Sequence, residues 1–367
     1  MRPGQSGRNL AMQVTTARRL IGLVVLLAIV GGCSRTESPP PPEKLSEYGL
    51  WVGDGSTQEP AEGVIPYDLN TPLFSDYTEK FRFVKLPPGT TAKYSADDAF
   101  EFPVGTVIAK TFAYPADARD PSQGRRLLET RILKRDPSGW VGLPYIWNRE
   151  QTEAVLDVAG ELVDVNWIDE HGSERKNNYI IPNANQCQGC HKQGDTMQPL
   201  GPKARHLNRD FAYSSGADNQ LAYWSSHHAL DGAPPAAEAP QLSVWNDPQS
   251  GDLDARARAW LEMNCAHCHN PVGPARNAGL DLLASQKTPT QWGLFKTPVA
   301  AGRGSGGRDF DIVPGKPDDS ILMFRILSQD PGIMMPELGK RLIHAEGVDL
   351  IREWIAAMPA VERGKPQ

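Results

Sequence analysis

Between residues 80 and 180 apolar and polar positions alternate. "KFRFVKL" (80–86) has this period, and "FEFPVGTVIAKTFAYP" (100–115) keeps it on both sides of Gly105. A period of two predicts strands that bury one face. "RLLETRILKRDPSGWVGLPYIW" (126–147) predicts a hairpin turning on Asp-Pro-Ser-Gly, and "AVLDVAGELVDVNWI" (154–168) a second one turning near Gly160. "ERKNNYIIPNAN" (174–185) reads as a strand running into a proline loop. Helical spacing gathers after residue 191. "DLDARARAWLEMN" (252–264) sets Leu253, Ala257, Trp260 and Leu261 on one face. "PGKPDDSILMFRIL" (314–327) has a proline-and-aspartate helix start. "EGVDLIREWIAAM" (346–358) aligns Leu350, Ile351, Trp354, Ile355 and Met358.

Length and charge narrow the class. A chain of 367 residues has room for two domains. With 40% hydrophobic and 22% charged residues it has the composition of a globular protein, neither disordered nor multi-spanning. The formal charge is −6; without Arg2, Arg8, Arg18 and Arg19 of the first 32 residues, 34 basic face 44 acidic residues, a net −10. No nucleic-acid surface is expected on that balance.

"ARRLIGLVVLLAIVGGC" (17–33) joins two arginines to an apolar run too short to span a bilayer comfortably, then Gly31, Gly32 and Cys33. The run resembles a bacterial lipobox, which implies cleavage and lipid attachment at Cys33; an uncleaved anchor or a lone thiol are the alternatives. Residues 33–44 then form a proline-rich tether. The expected location is the periplasmic side of a membrane, as an anchored lipoprotein.

Five cysteines are present, and four sit in two copies of one pattern: "NQCQGCHKQ" (185–193) and "NCAHCHN" (264–270). Outside the cytosol a CxxC pair suits a disulfide or a thiol oxidoreductase, and two pairs suit a zinc site. None of these gives the two following histidines a role. Covalent haem uses all six residues. Cysteines at i and i+3 meet two vinyl groups, and the histidine at i+4 ligates iron. Cys187, Cys190 and His191 are therefore one candidate c-type haem site, and Cys265, Cys268 and His269 the second, for two covalently bound haems.

The order helix, CxxCH, loop, helix, "GIMMPELG" (332–339), closing helix resembles class I cytochrome c over residues 251–359. The resemblance implies Met335 as sixth iron ligand, with Met334 as its neighbour and rival. The sixth ligand at the first haem stays open among Met197, His206, His227, His228 or none. "GRGSGG" (302–307) matches GxGxxG but lacks a strand before it and a helix after it, so it is read as a loop whose Arg303 or Arg308 faces a propionate.

On a larger scale, "GVIPYDLNTPLFSDYTEKFRFVKLPPG", "FPVGTVIAKTF", "LPYIWNREQTEA" and "PLGPKARHLNRDF" resemble a family of bacterial dihaem c-type cytochromes of unsettled function. Related segments of that family are attached to sugar-dehydrogenase-like domains that use pyrroloquinoline quinone. A fainter resemblance is to β-sheet cytochromes of the hydroxylamine-oxidising type. What this implies is electron transfer with redox partner proteins, such as a periplasmic dehydrogenase. The alternative is a haem enzyme, a peroxidase or small-molecule oxidoreductase, with the first haem reactive. The expected fold is α+β: a β-rich N-terminal domain carrying one haem (45–230), a linker (231–250), an all-α class I cytochrome c-like domain (251–359) and a short tail (360–367).

Overall fold

The computed structural model describes residues 39–359; Cys33 and the signal segment lie outside them. The alternating segments form one antiparallel meander of six strands: β1 (Val64–Tyr67), β2 (Glu79–Lys85), β3 (Val107–Pro115), β4 (Arg125–Asp136), β5 (Gly139–Trp147) and β6 (Ala154–Leu156). Each strand pairs with its neighbour in sequence. Asp136 pairs with Gly139, so the β4–β5 turn falls on Pro137 and Ser138, as the Asp-Pro-Ser-Gly signal predicts.

Alternation divides the sheet into two faces. One packs Phe83, Ala109, Ile132 and Leu143, a row in register across four strands, against Leu45, Leu50 and Trp51. Its buried hydroxyls satisfy one another: Thr111 meets Thr130 at 2.8 Å, and Trp147 Nε1 donates to Thr130 at 2.9 Å. The other face is apolar at its ends, where Val84 and Ile108 join Leu207 and Trp224, and Tyr114 joins Trp167 and Tyr179. Its middle is polar and borders a cleft.

The second predicted hairpin does not form. β6 closes the edge of the main sheet, whereas β7 (Glu161–Ile168) leaves it and pairs with β8 (Glu174–Ile181). Gly160 between them has φ +77°, and a Cβ there would meet the Ile181 carbonyl oxygen at 2.5 Å. Asp157 caps this corner by accepting the Ala159 and Gly160 amides at 2.7 and 3.1 Å.

The helices are α1 (Ala184–His191), α2 (Ala204–Leu207), α3 (Gln220–Ser226), α4 (Leu253–Leu261), α5 (Ile321–Ile326) and α6 (Ala345–Ala357). The expected all-α class I domain is therefore corrected. After residue 250 only three α-helices stand among the described residues, the longest of 13 residues. The Gly- and Pro-bearing stretch 270–320 cannot propagate helix, and it folds through turns and isolated bridges such as Leu294 with Ile312. The apolar faces themselves are as expected: Ala257, Trp260 and Leu261 pack on Ile351, Trp354 and Ile355. No helix among the described residues is long and apolar enough to cross a membrane.

From Pro40 onward the chain makes one compact unit. Phe74 stacks on His344 with ring centroids 4.3 Å apart. Asp76 accepts the Arg341 and Leu342 amides at 2.7 and 2.8 Å. The expected linker is held too, since Asn70 donates to the Leu242 carbonyl at 2.8 Å and Asn208 to that of Ala236 at 2.8 Å.

Candidate cofactor site

The first motif rides on α1. Asn183 and Gln186 form a reciprocal cap, each side chain accepting the other's amide at 2.9 Å, which starts the helix directly after β8 and Pro182. Eight helical residues then hold Cys187, Cys190 and His191 at i, i+3 and i+4, one face of the turn. Beyond His191 the chain doubles back, with Lys192–Gln193 pairing Thr196–Met197. That fold-back brings the Gln198 carbonyl within 2.9 Å of His191 Nδ1. A proton held on Nδ1 leaves Nε2 with its lone pair, the arrangement of a metal-ligating histidine. Burial, helped by the charge of Lys110, pushes His191 down to about 4 and keeps the ring neutral.

Cys187, Cys190 and His191 line a cleft of about 660 Å³ between the cationic sheet face and the C-terminal segment. Leu133, Ile180, Leu200 and Leu338 give it apolar walls, and Arg82, Lys110 and Arg131 give it positive charge. An apolar cleft of this size with a few polar groups is what a cofactor requires.

Of the four candidates for a further ligand at this site, His206 alone lines the cleft. Met197 packs beside Gly142 next to Cys187: a Cβ at Gly142 would meet the Met197 methyl at 2.6 Å and the Cys187 Cβ at 3.3 Å. His227 is exposed and stacks on Tyr223, and His228 is exposed at φ +56°. Met334 is on the wall and 9% exposed, whereas Met335 is half-buried and donates its amide to the Arg325 carbonyl at 3.1 Å. Wall residues that escaped the sequence reading include Met263, and His267, which lies inside the second CxxC. Both sat in the quoted motif strings, but only the folded chain turns them toward the first motif.

The second motif begins in a π-helical turn, Glu262–Ala266, rather than a regular helix. The turn points Cys268 back to α1, where its Sγ is 3.4 Å from the Gly189 carbonyl. Ligand atoms of Cys190, His267 and Cys268 all lie within 4.8 Å of one another. The two thiols lie close together, and their interaction pulls Cys190 down and raises Cys268. Burial raises Cys265 to about 12, and it packs against the C-terminal core. Burial lowers His269 to about 4, and its Nδ1 has no hydrogen-bond partner among the described residues.

Haem fits the first motif in full: two thiols, a neutral imidazole held by its Nδ1, an apolar cleft and cations for carboxylates. The second motif offers a buried imidazole with an orphaned nitrogen, but its three residues do not line the cleft. Neither loop arginine is free for a propionate. Arg303 pairs with Asp330 at 2.8 Å, and Arg308 covers Phe324.

One buried carboxylate joins the start of the second motif to α2. Glu262 Oε1 meets Arg205 Nε at 2.6 Å and His206 Nε2 at 2.7 Å, and its Oε2 accepts the Ala284 amide at 2.9 Å. Burial alone would raise this carboxyl, but the His206 bond and the Arg205 charge hold it down to about 2. Burial lowers His206, so at neutral pH its Nε2–H donates uncharged. Glu262→Ala leaves the partly buried Arg205 with only its Asp97 carbonyl bond and removes the acceptor of buried His206, and the expected loss in urea unfolding is about 3 kcal/mol. Below about pH 4.3, where an exposed glutamate takes up its proton, the unfolded chain binds more protons at this position than the folded one. The Glu262 contribution is thus full above that pH and drains as pH falls toward 2; Glu262→Gln flattens that part of the stability–pH curve. Equal acid sensitivity in wild type and Glu262→Gln contradicts the assignment. Compared with protein-family models, with curated proteins and with solved structures, the chain matches none of them.

Proposed function

We propose that the chain is a dihaem c-type cytochrome that relays electrons on the periplasmic side of a membrane between redox partner proteins, one of them a dehydrogenase. The observation that carries this reading is His191, neutral and held through Nδ1 by the Gln198 carbonyl, beside two cysteines on one helical face that opens on the cleft. Bound haem supplies a one-electron ferric–ferrous couple. The chain's part is to hold the imidazole in one tautomer, exclude water with the apolar walls and tune the couple by charge. The acidic balance of the chain after residue 32 favours a basic partner surface.

A second reading has its own observation. Cys190, His267 and Cys268 supply three clustered ligand atoms, as a tetrahedral zinc site does. It leaves Cys187, His191, Cys265 and His269 without a role, and for that reason it ranks below haem.

Mass spectrometry of the denatured protein separates the two. The expected mass is the apoprotein plus two haems that acid–acetone does not extract; apoprotein mass with stoichiometric zinc in the native sample abandons the haem reading. Carbon monoxide added to the reduced protein is expected to leave both haems unchanged, because a relay needs no open coordination position. Rapid stoichiometric binding moves the assignment to a haem enzyme.

The methionines offer a finer test. With Met335 as sixth ligand of the haem at Cys265 and Cys268, Met335→Ala lowers one reduction potential and removes the red-edge charge-transfer band of His/Met ligation. Met334→Ala, which alters the wall of the first cleft, keeps that band. The reverse pattern moves the ligand to Met334.

The membrane anchor is proposed at Cys33. Labelled fatty acid is expected to enter the wild-type chain but not Cys33→Ala; an unlabelled wild type refutes the anchor.

A further inference from the structure

Across the middle of the sheet face that borders the cleft runs a row of cations. Arg82 on β2 stands opposite Lys110 on β3, and Lys110 stands opposite Arg131 on β4. Lys80 is two residues from Arg82, on the same face, with its ammonium 2.8 Å from the Thr78 carbonyl. Like charges directly opposite one another on neighbouring strands destabilise a sheet, so three in register need compensation.

Both arginines have it. Arg82 bonds Asp68 at 2.7 Å, and Arg131 makes a two-pronged bond with buried Glu129 at 2.8 and 2.6 Å. The carboxylates have other commitments as well. Glu129 also accepts the Tyr179 hydroxyl at 2.8 Å, and Asp76 is engaged by the Arg341 and Leu342 amides. Lys110, at the centre, has no such partner. Among the described residues its ammonium makes no hydrogen bond or ion pair, and it lies over the Phe112 ring, 4.9 Å from the centroid. Burial and the two guanidinium groups push Lys110 down to about 7, which shows how poorly the row tolerates its charge. Yet its side chain lines the cleft with Arg82 and Arg131, within electrostatic reach of Cys190 and His191.

We propose that Lys110, flanked by Arg82 and Arg131, is the centre of an anion site on the cleft wall that takes a carboxylate. A carboxylate has two possible sources. One is a propionate of the haem held by α1, which rests on the haem reading above; the other is a free carboxylate ligand that enters the cleft. Either one supplies the acceptor that Lys110 lacks and neutralises the row.

The test compares the wild-type holoprotein with Lys110→Met and Lys110→Arg. Methionine removes the charge at similar length and relieves the crowding of like charges, so the variant keeps its fold. A cation near a redox centre favours the reduced form. If the occupant is a propionate, Lys110→Met shifts the one-electron equilibrium of one haem at least tenfold toward the oxidised form, about 59 mV. Lys110→Arg then restores that midpoint, and the other midpoint stays in place throughout. If the occupant is a free ligand, succinate followed by calorimetry binds wild type and binds Lys110→Met at least tenfold more weakly, whereas a propionate already in place leaves succinate no site there. Unmoved midpoints combined with no Lys110-dependent succinate binding overturn the site. A chain whose denatured mass shows no haem fails the haem reading alone, and the succinate titration still decides the row.

Discussion

One carboxylate, that of Glu262, anchors the turn that opens the second cysteine–histidine motif to α2. It stands three residues before Cys265 and takes its partners from α2, downstream of the first motif, and from Ala284, downstream of the second. A buried charge persists only when its lone pairs are met, and here both oxygens are engaged. The position of the α4 C-terminus is therefore dictated by α2. That helix is itself held, because the Arg205 carbonyl accepts the Leu242 amide at 2.8 Å and the Asn70 side chain at 3.1 Å. The chain widens into the π turn directly after this fixed point, and π turns gather at functional sites. Cys268 and His267 reach α1 from there, and the contact is held by Gln193 Nε2 donating to the His267 carbonyl at 3.2 Å and the Gly194 amide to that of Val272 at 2.8 Å.

The cleft sets opposing electrostatic demands. Burial keeps His191 uncharged in the cleft, while the same cleft is lined by three cations, of which Lys110 is pushed down by burial and by its two arginine neighbours. Hydrophobic walls alone would make the cationic row untenable, and a sheet face built only for stability would carry apolar residues there. The face is apolar at both ends, and of its charged residues Arg82, Lys110 and Arg131 line the cleft, so that part of the charge belongs to the site. On the haem reading these same groups are the levers by which a protein sets a potential: charge near the macrocycle, hydrogen bonding to the ligand, and exclusion of solvent.

The two motifs differ in how their histidines are supported. His191 sits at the end of a regular, capped helix with its Nδ1 on a carbonyl; His269 follows an irregular turn with its Nδ1 unpartnered. A hydrogen bond at the outer nitrogen orients an imidazole and raises its basicity as a ligand. Identical sequence patterns thus become unequal sites. On the haem reading, that inequality would give the two centres different potentials.

How far the sequence discloses this arrangement depends on the range of each interaction. The strands of the main sheet were legible because alternation is local, and the β4–β5 turn because Asp-Pro-Ser-Gly is a local signal. CxxCH was legible because its residues share one helical turn. The partner of β7 was not. Alternation identifies a strand but does not say which strand it joins, and the corner at Gly160 that sends β7 away from β6 looks like any hairpin turn until Ile181 is seen beneath it. The C-terminal helices were legible as amphipathic faces, yet their sum was overread, because three short helices do not make an all-α domain when the stretch between them is rich in Gly and Pro. Arg82, Lys110 and Arg131 mark the limit most clearly. Each is an ordinary polar position in an alternating strand, and nothing near any of them in the chain marks it out. Register alone makes them neighbours, and register also turns them toward the same face as the cleft. The property that gives the wall its chemistry is therefore one of pairing, which exists only once the strands have met.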